Sequence, residues 1–176
     1  MVNKDMAGLV NRYMFGQATT NQVPSYWYVG ILKDKIPTSD LDGSISGREV
    51  TNGGYSRIRL PNTADYFQVV SSSAELSYVT NKNDIIFPDI ISSTNQSIIG
   101  FFLSNVATGG TAYIWGNLGT ARTLYVNSRV VIKAGALHFA ISNTEGSGTS
   151  TAQGLIVDDQ GVLSGNMGVS TAGILS

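Results

Sequence analysis

Between residues 26 and 141 the chain is a succession of short β-branched and aromatic runs, cut by turn formers about every 8 to 12 residues. That rhythm confines it to an all-β fold. Tyr26-Trp27-Tyr28-Val29-Gly30-Ile31-Leu32 opens the series as an aromatic and β-branched strand. After a loop over 33–47, the turn at Asn52-Gly53-Gly54 leads into Tyr55-Ser56-Arg57-Ile58-Arg59-Leu60. Alternation there places Tyr55, Arg57 and Arg59 on one side and Ser56, Ile58 and Leu60 on the other. Further strands are expected at 66–70, 75–79 and 84–87, the last ending before Pro88. Residues 97–103 are nearly all apolar, as in a strand covered on both faces. Gly109-Gly110 turns the chain into 111–118, and 122–126, 129–133 and 137–141 follow. There is no βαβ rhythm, which argues against parallel nucleotide-binding folds, and no internal repeat. The expected architecture is a jelly-roll-like β-sandwich over residues 17–142.

Two extensions flank that domain. Over residues 3–16, Met6, Leu9, Val10, Tyr13 and Met14 recur at helical spacing, with Asn3 placed to cap the start and Gly16 to stop the helix. A helix this short is marginal alone. Its apolar face has to dock, either beneath its own sheet or on a partner, and residues 1–16 are read as a docking helix. At the other end, residues 143–176 carry seven glycines, many Ser and Thr, and no Lys or Arg. Their apolar residues come only in short groups such as Ile156-Val157, Val162-Leu163 and Ile174-Leu175. Such a stretch buries too little apolar surface to offset its own ordering entropy. It is expected to be an extended arm, ordered by intersubunit contacts through those six residues. Asp158-Asp159-Gln160-Gly161 would allow either a small hairpin or two pieces laid on a neighbour's sheet edge.

The composition removes several classes of function. The 176 residues include no cysteine, so disulfide frameworks and thiolate metal sites are excluded. The formal net charge is -1, and charged residues are 13% of the chain, about half the usual roughly 25%. No cluster of Lys and Arg is dense enough to track a phosphate backbone, so no nucleic-acid partner is expected. So few charges suit a surface partly covered by neighbours. No apolar run approaches the roughly 18 residues of a membrane span, and the N-terminus lacks a signal-peptide pattern. Synthesis in a cytoplasm without membrane insertion is expected.

Catalytic chemistry is poorly provided for. His138 is the only histidine, and Leu137 and Phe139 beside it make a hydrogen-bonded strand histidine its natural reading. No G-x-S-x-G elbow accompanies it, and zinc ligands are lacking. Carboxylates pair at Asp40/Asp42 and Asp158/Asp159, but Asp is also a turn former that accepts backbone N–H bonds. Asp40-Leu41-Asp42-Gly43-Ser44 resembles a fragment of a calcium loop without the spaced ligands or the closing Glu. No metal and no cofactor are expected. Tyr26, Trp27, Tyr28, Tyr55, Tyr113 and Trp115 can pack in the core or stack on sugars; their places within strands favour the core.

Seven short segments occur in an order that is similar to a family of small tailed-phage virion proteins, of the tail-fibre or minor-structural type. They are Tyr28-Val29-Gly30-Ile31; Glu49-Val50 with Gly53-Gly54-Tyr55-Ser56-Arg57; Ile86-Phe87-Pro88; Ile99-Gly100-Phe101-Phe102; Trp115-Gly116-Asn117-Leu118; Arg122-Thr123-Leu124; and Ala134-Gly135-Ala136-Leu137. The resemblance covers roughly residues 3–141 and leaves the arm outside. It implies a non-enzymatic virion component, in the fibre, the neck or a capsid decoration. Such a protein would associate with itself as a homotrimer and dock on other virion proteins. A receptor- or glycan-binding module for host adsorption is the alternative, and a hydrolase would need two of the carboxylates to converge. The residues singled out are Glu49, Gly53, Gly54, Tyr55, Arg57, Trp115 and Gly116. Gly53 and Gly54 let the chain turn, and Glu49 and Arg57 are placed to pair across that turn.

Overall fold

The computed structural model describes residues 4–16, 23–37, 39–51, 53–71, 76–89, 94–142, 150–153 and 162–163. It is an all-β domain preceded by one short helix, as the sequence pattern predicts. The helix α1 spans Lys4–Met14, with Asp5 in its first turn and Arg12 in its last, both complementing the helix dipole. Its first half docks: Leu9 is buried and Met6 packs against the main core. The Lys4 N–H donates to the Leu41 carbonyl at 2.9 Å, and the Lys4 ammonium meets the Asp42 carboxylate in an exposed pair. The second half departs from the expected continuous face. Tyr13 and Phe15 stand 72% and 75% exposed.

The strands form three sheets. The first has the order β2 (Ile58–Pro61), β1 (Tyr26–Leu32), β6 (Gln96–Ser104), β7 (Ile114–Leu124), all antiparallel. The second runs β10 (Ser150–Gln153), β9 (His138–Ser142), β4 (Leu76–Asn81), β3 (Phe67–Ser71). The third is small: β11 (Val162–Leu163), β8 (Val131–Ile132), β5 (Ile85–Ile86). Two differences from the sequence pattern have physical causes. The pattern predicts separate strands over 111–118 and 122–126, whereas β7 is one strand whose register with β6 shifts between Ile98 and Gly100. Ile98 faces Arg122 and Gly100 faces Asn117, so the extra β7 residues bulge without ending the strand. The second difference concerns Tyr55–Leu60, where ladder pairing begins only at Ile58. The expected two-sided alternation fails: Arg57 and Leu60 are buried while Arg59 is exposed, because side-chain bonds described below hold 55–57 off the ladder.

The main core lies between the first sheet and the other two. Val29, Ile31, Phe101 and Leu103 meet Ile85, Phe87, Val130, Ile132 and Leu137, all buried. Asn81 fastens the end of β4 to the turn between β8 and β9. Its amide donates to the carbonyls of Asn83 (2.8 Å) and Lys133 (2.9 Å), and its side-chain oxygen accepts from the Leu137 N–H (2.8 Å). Each of those bonds satisfies a polar group that burial would otherwise penalise. The opposite face of the first sheet is covered too. Leu32, Phe102 and Trp115 form a second core with Ile36, Ile45 and Ala112, so the long loop after β1 folds back as a lid on the sheet. This double covering explains why β6 reads as a nearly continuous apolar run.

Candidate functional site

The motif residues Glu49, Tyr55 and Arg57 converge on one point at the end of β1. The chain returns alongside β1 after the loop: the Lys33 N–H donates to the Arg48 carbonyl (2.8 Å) and the Val50 N–H to the Ile31 carbonyl (3.0 Å). A bridge between Leu32 and Glu49 fixes the position of the carboxylate. The turn at Gly53-Gly54 then reverses the chain, with Gly54 at φ +81°, where a side chain would be strained. Tyr55 and Arg57 are thereby carried back over Glu49.

The contact is a two-pronged ion pair. Arg57 Nε donates to Glu49 Oε1 and Arg57 Nη2 to Glu49 Oε2, both at 2.7 Å. The arginine side chain is 1% exposed and the glutamate 17%. Two further donations leave the guanidinium, from Nη1 to the Val106 carbonyl (2.7 Å) and from Nη2 to the Gly109 carbonyl (2.8 Å). Its carbon sits 4.9 Å from the centre of the Phe102 ring. The Tyr55 hydroxyl donates to Glu49 Oε1 (2.8 Å) and accepts from the Ile31 N–H (2.9 Å). Its ring stacks on Phe87 at 6.2 Å. Burial, and then the Glu49 charge, push the Tyr55 phenol far above its ordinary range.

This arrangement is mechanical in its chemistry. The carboxylate accepts three hydrogen bonds from groups of its own chain. The cluster staples the end of β1, the segment 55–57 and the loop after β6 into one unit. The sequence pattern places Glu49 and Arg57 across a turn but carries no sign of the Val106 and Gly109 carbonyls, because backbone acceptors have no residue-type signature.

The other motif residues serve packing. Trp115 is 1% exposed in the second core. The Gly116 carbonyl lies where a Cβ on Gly100 would stand, at 2.2 Å, which requires glycine at 100 for β6 and β7 to approach. Gly30 is likewise obligatory, since its Cβ would enter the Phe102 ring. Trp27 is buried and meets Tyr113 edge-on at 5.7 Å, so both tryptophans considered for sugar stacking are inside. Tyr26 stays 40% exposed beneath the Arg59 guanidinium.

The remaining polar candidates also resolve into structure. Asp40 Oδ1 accepts from the Asp42 and Gly43 N–H groups, and Arg48 donates to Asp40 Oδ2 at 3.4 Å, so this carboxylate builds a turn. Asp42 is taken up by Lys4. His138 Nε2 meets the Gly135 carbonyl. Among the described residues no group of three His, Cys, Asp or Glu is placed to hold a metal, and no helix is long and apolar enough to cross a membrane. Asp158, Asp159, Ile156, Val157, Ile174 and Leu175 lie outside the described residues. Val162 and Leu163 form β11, which runs parallel to β8.

Comparison with family models matches residues 3–140 to the family described as podophage GP4 fiber I protein gp80. Comparison with curated proteins finds no match.

Proposed function

We proceed from the chain's membership of the podophage GP4 fiber I protein family, and propose that it is a non-enzymatic structural component of the fibre that associates with itself and docks on other virion proteins. The observation that carries this reading is the coincidence of the family span with the helix and the all-β domain that follows it. The span runs from residue 3 through α1 to β9, and its polar centre is a self-satisfied clamp. Two features support assembly. The end of α1 presents Tyr13, and Phe15 just beyond it is exposed as well, which suits docking on another virion protein. The sparse surface charge suits contact between copies, for which a homotrimer is the simplest closed arrangement.

The test has two arms. Light scattering on the purified protein is expected to give three times the chain mass of 18.7 kDa. Immunogold labelling of intact particles is expected to place gold on a fibre at the neck or tail. Gold distributed over the head would replace the fibre assignment with capsid decoration. Particles that lack the protein by mass spectrometry would refute the virion role altogether.

A further inference from the structure

β2 is the edge strand of the first sheet, and its register gathers four side chains at one corner of that sheet. Arg59 lies opposite Tyr28, and Pro61 opposite Tyr26. All four alternate away from Trp27 and Leu60, which enter the main core. The Arg59 guanidinium carbon sits 4.6 Å from the centre of the Tyr26 ring, and both residues are exposed. Arg48, Arg57 and Arg129 each meet a carboxylate. Arg59 meets a ring instead, and among the described residues no carboxylate lies within ion-pair reach of it.

The chain leaves β6 at Ser104, opposite Tyr28, so the loop 105–110 begins beside the same corner. All six loop residues are exposed. An exposed loop ordinarily loses conformational freedom when a partner arrives, and that loss weakens binding. This loop is fixed beforehand. Arg57 donates to its Val106 and Gly109 carbonyls from the buried side, and the Val106 N–H donates to the Ser104 hydroxyl at 3.4 Å. Stacking on Tyr26 restrains the Arg59 side chain in the same way. Its planar fork matches a carboxylate, which takes two parallel hydrogen bonds from a guanidinium.

The surroundings favour a protein carboxylate over a sugar acid. Tyr and Arg are the residue types enriched at protein interfaces and at their hot spots. A small-molecule site needs placed polar groups to orient its ligand. Here the Asn105 amide is engaged with the Tyr113 hydroxyl at 3.2 Å, and Pro61, Val106 and the loop glycines offer no polar side chain. A second copy of this chain is poorly matched as the donor. Asp40, Asp42, Glu49, Asp84 and Asp89 are already held by cations of their own chain. We propose that this corner, with Arg59 at its centre and Tyr26, Tyr28 and the loop 105–110 around it, is a docking surface that receives an Asp or Glu side chain of a different virion protein. The proposal rests on the docking reading above and names its surface and its partner group. The Arg57 clamp then acts at a distance from the contact, by holding the loop in the shape the partner meets.

A lysine at position 59 makes the contact chemically visible. In particles carrying Arg59→Lys, a zero-length carbodiimide joins an amine to a carboxylate that touches it, whereas the parent guanidinium does not react. Mass spectrometry is expected to find position 59 linked to an Asp or Glu of a different virion protein. Arg59→Glu is expected to keep the parent's melting profile and to be several-fold depleted from purified particles. Should Arg59→Glu disturb the fold, Arg59→Gln removes the charge at similar length and is expected to be depleted as well. Parental incorporation of the folded variants, or links from position 59 only to copies of this chain, would overturn the proposal and leave docking through other surfaces standing. No link to any virion protein, with a galacturonate oligomer bound by the parent and not by Arg59→Glu, would assign the corner to a saccharide and also overturn it. Particles without the parent protein would overturn the docking reading and this surface with it.

Discussion

Arg57 and Glu49 stand eight residues apart and meet through two parallel 2.7 Å hydrogen bonds, with the arginine almost wholly withdrawn from water. A buried pair differs from a surface pair in what its loss leaves behind. Removing one partner strands a charge inside the protein and costs about 3–5 kcal/mol. Arg57→Ala is expected to lose stability on that scale in urea unfolding. Arg57→Lys is expected to restore only part of it, because an ammonium cannot reproduce the fork. The double variant E49L/R57M is expected to recover further but not fully, since the Val106 and Gly109 carbonyls still lose their donor. An R57A midpoint equal to that of the parent chain would show that the clamp is dispensable.

The Tyr55 hydroxyl gives the same cluster a pH signature. Burial first, and then Glu49, raise its pKa in the folded chain. The unfolded chain releases that proton near about pH 10. Folding stability is therefore fully present below about pH 10 and is lost as the pH rises further, because the unfolded state binds fewer protons there. Tyr55→Phe is expected to be less stable at neutral pH by about 1–3 kcal/mol, with the Ile31 N–H left unpartnered. Its stability should also fall less steeply above pH 10. Tyr113, raised by burial as well, keeps part of the slope. Parallel alkaline limbs for the two proteins would contradict this assignment.

Two glycines separate steric from conformational demand. A Cβ at Gly100 would stand 2.2 Å from the Gly116 carbonyl oxygen, a backbone atom that cannot turn away. Gly109 has a φ of +62° and open space around its Cβ position. Gly100→Ala is expected to cost about 3 kcal/mol or more, at the upper end of overpacking. Gly109→Ala is expected to cost about 1 kcal/mol from its backbone alone. Asn tolerates the left-handed region, so Gly109→Asn should lie closer to the parent, whereas Gly100→Asn should be worse than Gly100→Ala. Thermal melts of the four variants decide between the two demands.

Trp27 packs inside the main core, so its truncation reports on folding. Trp27→Ala is expected to cost about 3–5 kcal/mol, as for other large aromatic cores. Glycan binding that disappears in this variant while its melting temperature stays that of the parent would run against the packing role.

Much of the domain was legible because burial leaves a periodic trace. β1 and β6 announce themselves through apolar and aromatic runs, and the glycine turns before Tyr55 and Thr111 fall where the chain reverses. The pairing of Glu49 with Arg57 was legible as a possibility across a turn. Its burial was not, because the loop that covers the first sheet comes from Ile36 and Ile45, in a segment that reads only as polar turns. The β7 bulge was hidden for a related reason. A register shift is set by the partner strand at Gly100, which a reading of β7 alone does not contain. Asn81, buried with its side chain fully engaged, is another residue whose importance depends on carbonyls that any sequence would supply.

The helix α1 separates folding from assembly. Leu9 and Met6 hold it to the domain, whereas Tyr13 and Phe15 project from its last turn and beyond it without entering the core. Substitutions on an exposed surface ordinarily change stability by no more than about 0.5 kcal/mol. Y13S/F15S is therefore expected to unfold at the parent's denaturant midpoint. If these rings anchor the protein to the particle, the same variant should be several-fold depleted from purified virions, as quantified by mass spectrometry against the capsid protein. Leu9→Ala provides the complementary case: it should lower the midpoint through a lost core contact. Normal incorporation of Y13S/F15S would remove α1 from the docking surface and leave the sheet edges and the arm to carry assembly.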